Sequence, residues 1–170
     1  LIFADNVPAD SLTVEFVKAD NTTPVTTKLA IKACFESTSV PTSAGTTQSS
    51  GPTTPSSGSN TDSATSPDVS YGPTTIVPCL EVQGMDSPSF TPLITPSSNM
   101  NETENIRPDS LKPWTSDNDD QTPSITVQFN NPGTPVAEVT LPDVENVKSV
   151  KLSFNPPSSS DDKEYPIEQF

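Results

Sequence analysis

A chain of 170 residues has room for one ordinary domain with a tail, or for two very small ones. Its hydrophobic fraction is 30%, well under the ~45–50% of typical globular domains, and it carries 20 Pro. The net charge of −14 excludes the basic stripe that nucleic acid or an anionic membrane requires, and the absence of His excludes Ser-His-Asp triads and His-based metal sites.

The chain opens on Leu1-Ile2-Phe3-Ala4, followed by a turn expected over Asp5 to Asp10. With neither a start Met nor a signal pattern, it reads as an internal or mature piece. Leu12-Thr13-Val14-Glu15-Phe16-Val17 alternates with period two, as a strand with one buried face must. Ala19 to Pro24 supplies turn chemistry, and Leu29 to Phe35 is a second strand. The composition then changes. Ser43 to Pro67 contains no large apolar residue, no Lys and no Arg, so it cannot bury enough surface to offset the entropy of ordering it. All seven Phe and the single Trp lie outside the spacer of residues 37–78. Further strands are expected at Ile125 to Phe129, Val136 to Leu141 and Val147 to Phe154. Asn130-Asn131-Pro132-Gly133 and Asn155-Pro156-Pro157-Ser158 break the chain after the first and the last of these. No sustained i, i+3, i+4 pattern occurs, and Pro is too frequent for long helices. The expected class is all-β, an antiparallel β-sandwich plus an extended Ser/Thr/Pro-rich linker. No window approaches the ~20 apolar residues of a membrane span, so no membrane insertion is expected.

The first apolar piece, 36 residues, is too short to close a core. Joined tail to head, Pro166-Ile167-Glu168-Gln169-Phe170 runs into Leu1-Ile2-Phe3 as one apolar segment. We therefore expect one period of a tandem array. Residues 1–36 would be the C-terminal part of one β-sandwich repeat, 37–78 a mucin-like linker, and 79–170 the N-terminal part of the next. The joined domain of 128 residues is large enough to bury about two thirds of its unfolded surface. Two alternatives stand beside it: both pieces fold together with the linker as a long surface loop, or two partial domains are present.

In the joined order, the sequence resembles a divergent discoidin (coagulation-factor C-type, galactose-binding-like) domain. The resemblance rests on Cys79-Leu80-Glu81-Val82-Gln83-Gly84-Met85-Asp86, on Ile94-Thr95-Pro96-Ser97-Ser98, on Trp114, and on Ile125 to Phe129. Phe129 departs from the family's Asp-Leu ending. Cys34 in Lys32-Ala33-Cys34-Phe35 matches the family's closing Cys. The resemblance implies the fold; it implies function poorly, because this fold hosts many.

The two cysteines point to an oxidising compartment and a structural disulfide. Cys79 pairs either with the Cys34 of a following repeat or with Cys34 of the same chain across the linker. Closing the longer loop stabilises by roughly 4–5 kcal/mol in the chain-entropy model. Two sequons, Asn21-Thr22-Thr23 and Asn101-Glu102-Thr103, are N-glycosylation candidates, with Pro24 expected to lower occupancy of the first. Within the linker, Thr46, Thr47, Ser49, Ser50, Thr53, Thr54, Ser56 and Ser57 are O-glycosylation candidates. Glycans would extend a 42-residue spacer to a reach on the order of 130 Å.

Asp117, Asp119 and Asp120 form an oxygen-rich run after Trp114, a candidate structural Ca²⁺ loop of the kind the resemblance implies. A solvated acidic loop is the plainer reading. Asp161 to Glu164 reads as a solvated turn. Trp114 is expected in the core, with a ligand-facing loop position as the alternative, and Met85 and Phe90 are expected to pack. No phosphate loop, Cys-x-x-Cys or nucleophile elbow is present, and no enzymatic activity is expected. The functional expectation is an extracellular structural repeat unit of a glycosylated, fibrous or mucin-like protein. Its partners would be identical units packed head to tail into filaments, coats or adhesive matrix. Its cofactors would be covalent glycans. The alternative is a carbohydrate- or ligand-binding module on a glycosylated stalk.

Overall fold

The computed structural model describes residues 1–35, 81–161 and 163–170. The strands are β1 (Ile2–Ala9), β2 (Ser11–Lys18), β3 (Thr26–Thr27), β4 (Ala30–Phe35), β5 (Glu81–Gly84), β6 (Leu93–Pro96), β7 (Trp114–Thr115), β8 (Ser124–Gln128), β9 (Thr134–Thr140), β10 (Val147–Asn155) and β11 (Glu164–Pro166). Two 3₁₀ turns, Met100–Ile106 and Ile167–Gln169, are the helical elements among the described residues. The all-β expectation holds.

Alternation dictates which residues go inside. In β2, Leu12, Val14 and Phe16 are buried while the residues between them are partly exposed. In β8, Ile125 and Val127 are buried, and in β10 Val150, Leu152 and Phe154. These strands pair antiparallel in register, with Leu12 opposite both Val127 and Phe154, and Val14 opposite both Ile125 and Leu152. The full sheet runs β11-β10-β2-β8-β6. A second antiparallel sheet runs β1-β9-β4-β5 and buries Val7, Ala9, Ile31, Ala33, Val136 and Val139. A short ladder joins β3 to β7. Residues from all three sheets form one apolar cluster, with Leu29, Met85, Phe90, Ile106 and Trp114 packed into it. Trp114 is 0% exposed, deeper than a half-buried core position, and Met85 and Phe90 pack as expected.

Leu1–Ser37 and Cys79–Phe170 belong to one compact unit. The two pieces are interleaved within this one chain. β2 lies between β8 and β10, and β4 lies between β5 and β9. Neither piece supplies both neighbours of its own strands, so the core requires both. The segments 1–36 and 79–170, expected in two successive repeats, here complete each other without a second copy.

Where β4 ends and β5 begins, Phe35 stands opposite Glu81 and Cys34 opposite Val82. The chain therefore leaves the unit and re-enters it at adjacent points of one ladder. The residues between, 36–80, include the expected linker 37–78 and lie outside the described residues.

Three local expectations differ. The turn expected over Asp5 to Asp10 is strand through Ala9, with a register irregularity between Ile2 and Val7. That irregularity takes up Asp5 and Asn6 while Phe3 packs edge-on against Phe154, with ring centroids 5.7 Å apart. The apolar tail reads as strand only through Pro166; Ile167–Gln169 turns, and Phe170 packs edge-on against Tyr165. Asp161 is not merely solvated: its Oδ1 accepts from the Phe154 N–H at 3.0 Å and from the Ser158 hydroxyl at 3.2 Å. Glu164 lies in β11 and accepts from the Ser149 hydroxyl.

Candidate functional site

Strand direction gives the unit two distinguishable ends. β2 runs from Ser11 to Lys18, and Val147 of β10 and Ser124 of β8 lie toward its Lys18 end. Thr140 of β9 and Ala30 of β4 pair at the same end of the other sheet, and β9 is joined to β10 there by residues 141–146. That end is formed by residues 19–25, 97–106, 113–123 and 141–146. The opposite end carries Asp10, residues 129–133 and 155–161, and the paired Phe35 and Glu81. It is tied together by Asp10: its N–H donates to Asn155 O at 2.6 Å, its carbonyl accepts from Phe129 N–H at 2.9 Å, and its Oδ1 accepts from Gly133 N–H at 2.7 Å. Gly133 sits at φ 70°, a left-handed conformation that favours glycine.

The sequon at Asn21 occupies a tightly bonded turn. Asp20 Oδ1 accepts from the Thr22 N–H at 2.8 Å, the Thr22 hydroxyl at 2.7 Å and the Thr23 N–H at 2.9 Å. These hydrogen bonds, first those from Thr22, hold the Asp20 carboxyl below its ordinary value, at a pKa of about 2. From the facing loop, Asn146 at φ 58° donates from Nδ2 to Thr23 O at 2.6 Å and Asp20 O at 3.2 Å, and its Oδ1 accepts from the Asp20 N–H at 3.0 Å. Asn tolerates this backbone conformation better than most residues. Asn21 itself is exposed.

Asn101 is also exposed, in the first turn of Met100–Ile106. That segment is fixed to the β3–β7 region by two bonds: Asn99 Nδ2 donates to Thr115 O at 2.8 Å, and Leu29 N–H donates to Ile106 O at 2.7 Å. Beside it, Trp114 Nε1 donates to Ser98 O at 3.1 Å. With its ring fully buried, Trp114 presents no face to a ligand.

The Asp117–Asp120 loop is organised by its own protein donors. Asp120 Oδ2 accepts from the hydroxyls of Ser97 at 2.5 Å and Ser98 at 2.7 Å, and its Oδ1 from the Thr122 N–H at 3.2 Å. Ser98 Oγ accepts from the Asp117 N–H at 3.0 Å. Asp117 and Asp119 are exposed. Among the described residues, no three Asp, Glu, His or Cys side chains come together as a metal-holding group. The serine pair that closes this loop was visible in sequence as Ser97-Ser98, yet its bond to Asp120, over twenty residues away, was not.

Cys34 is buried and disulfide-bonded; Cys79 lies outside the described residues. So do Thr46, Thr47, Ser49, Ser50, Thr53, Thr54, Ser56 and Ser57. Two surface concavities occur elsewhere. One, about 160 Å³, is lined by Lys148, Ser149, Glu164 and Pro166. The other, about 320 Å³, lies between Phe3 to Pro8 and Ser158 to Ser160. No described helix is long and apolar enough to cross a membrane. No protein-family model, curated protein or solved structure matches the chain.

Proposed function

We propose that the chain is a structural unit of an extracellular glycoprotein. Its two sheets form an antiparallel β-sandwich of the discoidin, galactose-binding-like kind. From one end the sandwich presents a Ser/Thr/Pro-rich, O-glycosylated segment. Identical units pack end to end into filaments, coats or adhesive matrix. The two sheets sharing one core support the sandwich. The observation that carries the functional reading is the pairing of Phe35 with Glu81, which frames the intervening residues as an insertion between adjacent strands.

A segment so rich in Ser, Thr and Pro cannot contribute a core, and its composition is that of glycosylated stalks. The sandwich supplies stiffness, the glycans hydration and extension, and the net charge of −14 opposes collapse. No catalytic role is assigned. The ligand-binding alternative calls for an exposed aromatic beside the acidic loop, and the buried Trp114 does not offer one. The test is mass spectrometry of the secreted protein, with light scattering of the same sample. Hexose-bearing peptides within 37–78 and concentration-dependent assembly are expected. A bare segment on a strictly monomeric protein would reject the proposal.

A further inference from the structure

We propose that Asn21 and Asn101 both carry N-linked oligosaccharides, and that these two glycans cover the end of the unit opposite the one where the chain departs at Phe35. This rests on the secretory location proposed above. The two asparagines are the chain's complete set of Asn-x-Ser/Thr sites without Pro at the middle position, and they are 80 residues apart in sequence. The fold nevertheless brings both to one end. Asn21 lies in the turn that leads into β3, and Asn101 lies in the segment docked against β3 and β7. Val25 and Ser116 tie the Asn21 turn to the strand after β7 by reciprocal bonds, Val25 N–H to Ser116 Oγ at 3.0 Å and Ser116 N–H to Val25 O at 2.8 Å.

Both side chains are exposed, and neither amide enters a hydrogen bond among the described residues. Around Asn21 the turn is held by Asp20 and Asn146, so the glycan attachment point is fixed while the acceptor amide stays unengaged. A bulky, hydrated oligosaccharide at either position costs no native contact. By contrast, the end holding Asp10, Phe129 to Gly133 and Phe35 contains no sequon. The unit is thereby polar: N-glycans at one end, chain departure at the other.

The test uses the full chain secreted from glycosylating cells. Peptide-N-glycosidase in ¹⁸O-water marks each formerly glycosylated Asn as a labelled Asp. Lysine acylation rates before and after digestion then report cover. Lys112, whose side chain is 70% exposed and whose Nζ lies 4.0 Å from Glu102, reads the proposed glycan end. Lys163, exposed and preceding β11 on the side facing the other end, is the internal reference. Labelled Asp at both positions is expected, with Lys112 acylated severalfold faster after digestion and Lys163 unchanged. An unlabelled Asn21 or Asn101, or a Lys112 rate that does not respond, overturns the inference. O-glycans on 37–78 are read from separate peptides in the same digest, so their absence counts against the proposed function and not against this assignment.

Discussion

Shortening the insertion between β4 and β5 should stabilise the unit, and by an amount that depends on redox state. Phe35 and Glu81 are register partners, and the 45 residues of 36–80 are the loop that folding must close between them. Replacing Thr38 to Val77 by Gly-Gly keeps Cys79 and leaves a loop of about 7 residues. Loop-closure cost changes by about 0.6 kcal/mol per doubling of length, so this shortening should contribute about 1.6 kcal/mol. The gain belongs to the reduced protein. Cys34 is disulfide-bonded, and with Cys79 as the chain's other cysteine, oxidation closes the loop in the unfolded state as well. In the oxidised protein the excision should therefore change stability by nearly nothing. Urea unfolding followed by the emission of Trp114, with and without reductant, measures both values. Failure of the shortened chain to fold would show that residues 36–80 belong to the core. An equal gain in both redox states would refute the loop-closure argument.

Other outcomes follow from single positions. Leu12→Ala and Leu152→Ala each remove a fully buried side chain, from opposite pieces of the chain, and each should cost about 2–5 kcal/mol in urea unfolding. Trp114→Phe leaves the Ser98 carbonyl without its indole donor and should cost about 1–3 kcal/mol by circular dichroism. Asp20 has a folded pKa of about 2, below its model value of 3.8. The stability it contributes is complete above 3.8 and is lost as pH falls through about 2, and NMR titration of its carboxyl should place the midpoint there. Lys18 Nζ is buried and makes no hydrogen bond, so Lys18→Met should raise stability by about 1 kcal/mol, checked by thermal unfolding.

The strands of the inner ladder were legible because their alternation is clean: Leu12-Val14-Phe16, Ile125-Val127 and Val150-Leu152-Phe154 carry period two on their own. β1 was not, because Asp5, Asn6 and Pro8 interrupt the pattern, and only pairing with β9 around an irregular register makes those residues strand. β3, β7 and β11, at two or three residues each, are defined by their partners and leave no periodic trace. The interleaving was harder still. Composition marks where 37–78 begins and ends, yet nothing local says whether Leu29 to Phe35 pairs within its own chain or with the next copy; that is a matter of long-range register. At the candidate site, the sequons are visible as tripeptides. Their placement at a common end depends on Val25, Ser116, Asn99 and Asn146 meeting across the chain. The acidic run reads as cation ligands in sequence because the hydroxyls of Ser97 and Ser98 that occupy Asp120 are distant in number.

The most direct measurement is made on a nicked chain. A protease recognition sequence inserted at Gly58 allows the insertion to be cut, after which the disulfide is reduced and the sample is weighed by native mass spectrometry. The two fragments should stay together as a one-to-one complex with an unchanged far-ultraviolet spectrum, because β2 and β4 are each bracketed by strands from the other fragment. Fragments that separate, or that fold independently, would contradict a core built jointly from residues 1–35 and 81–170.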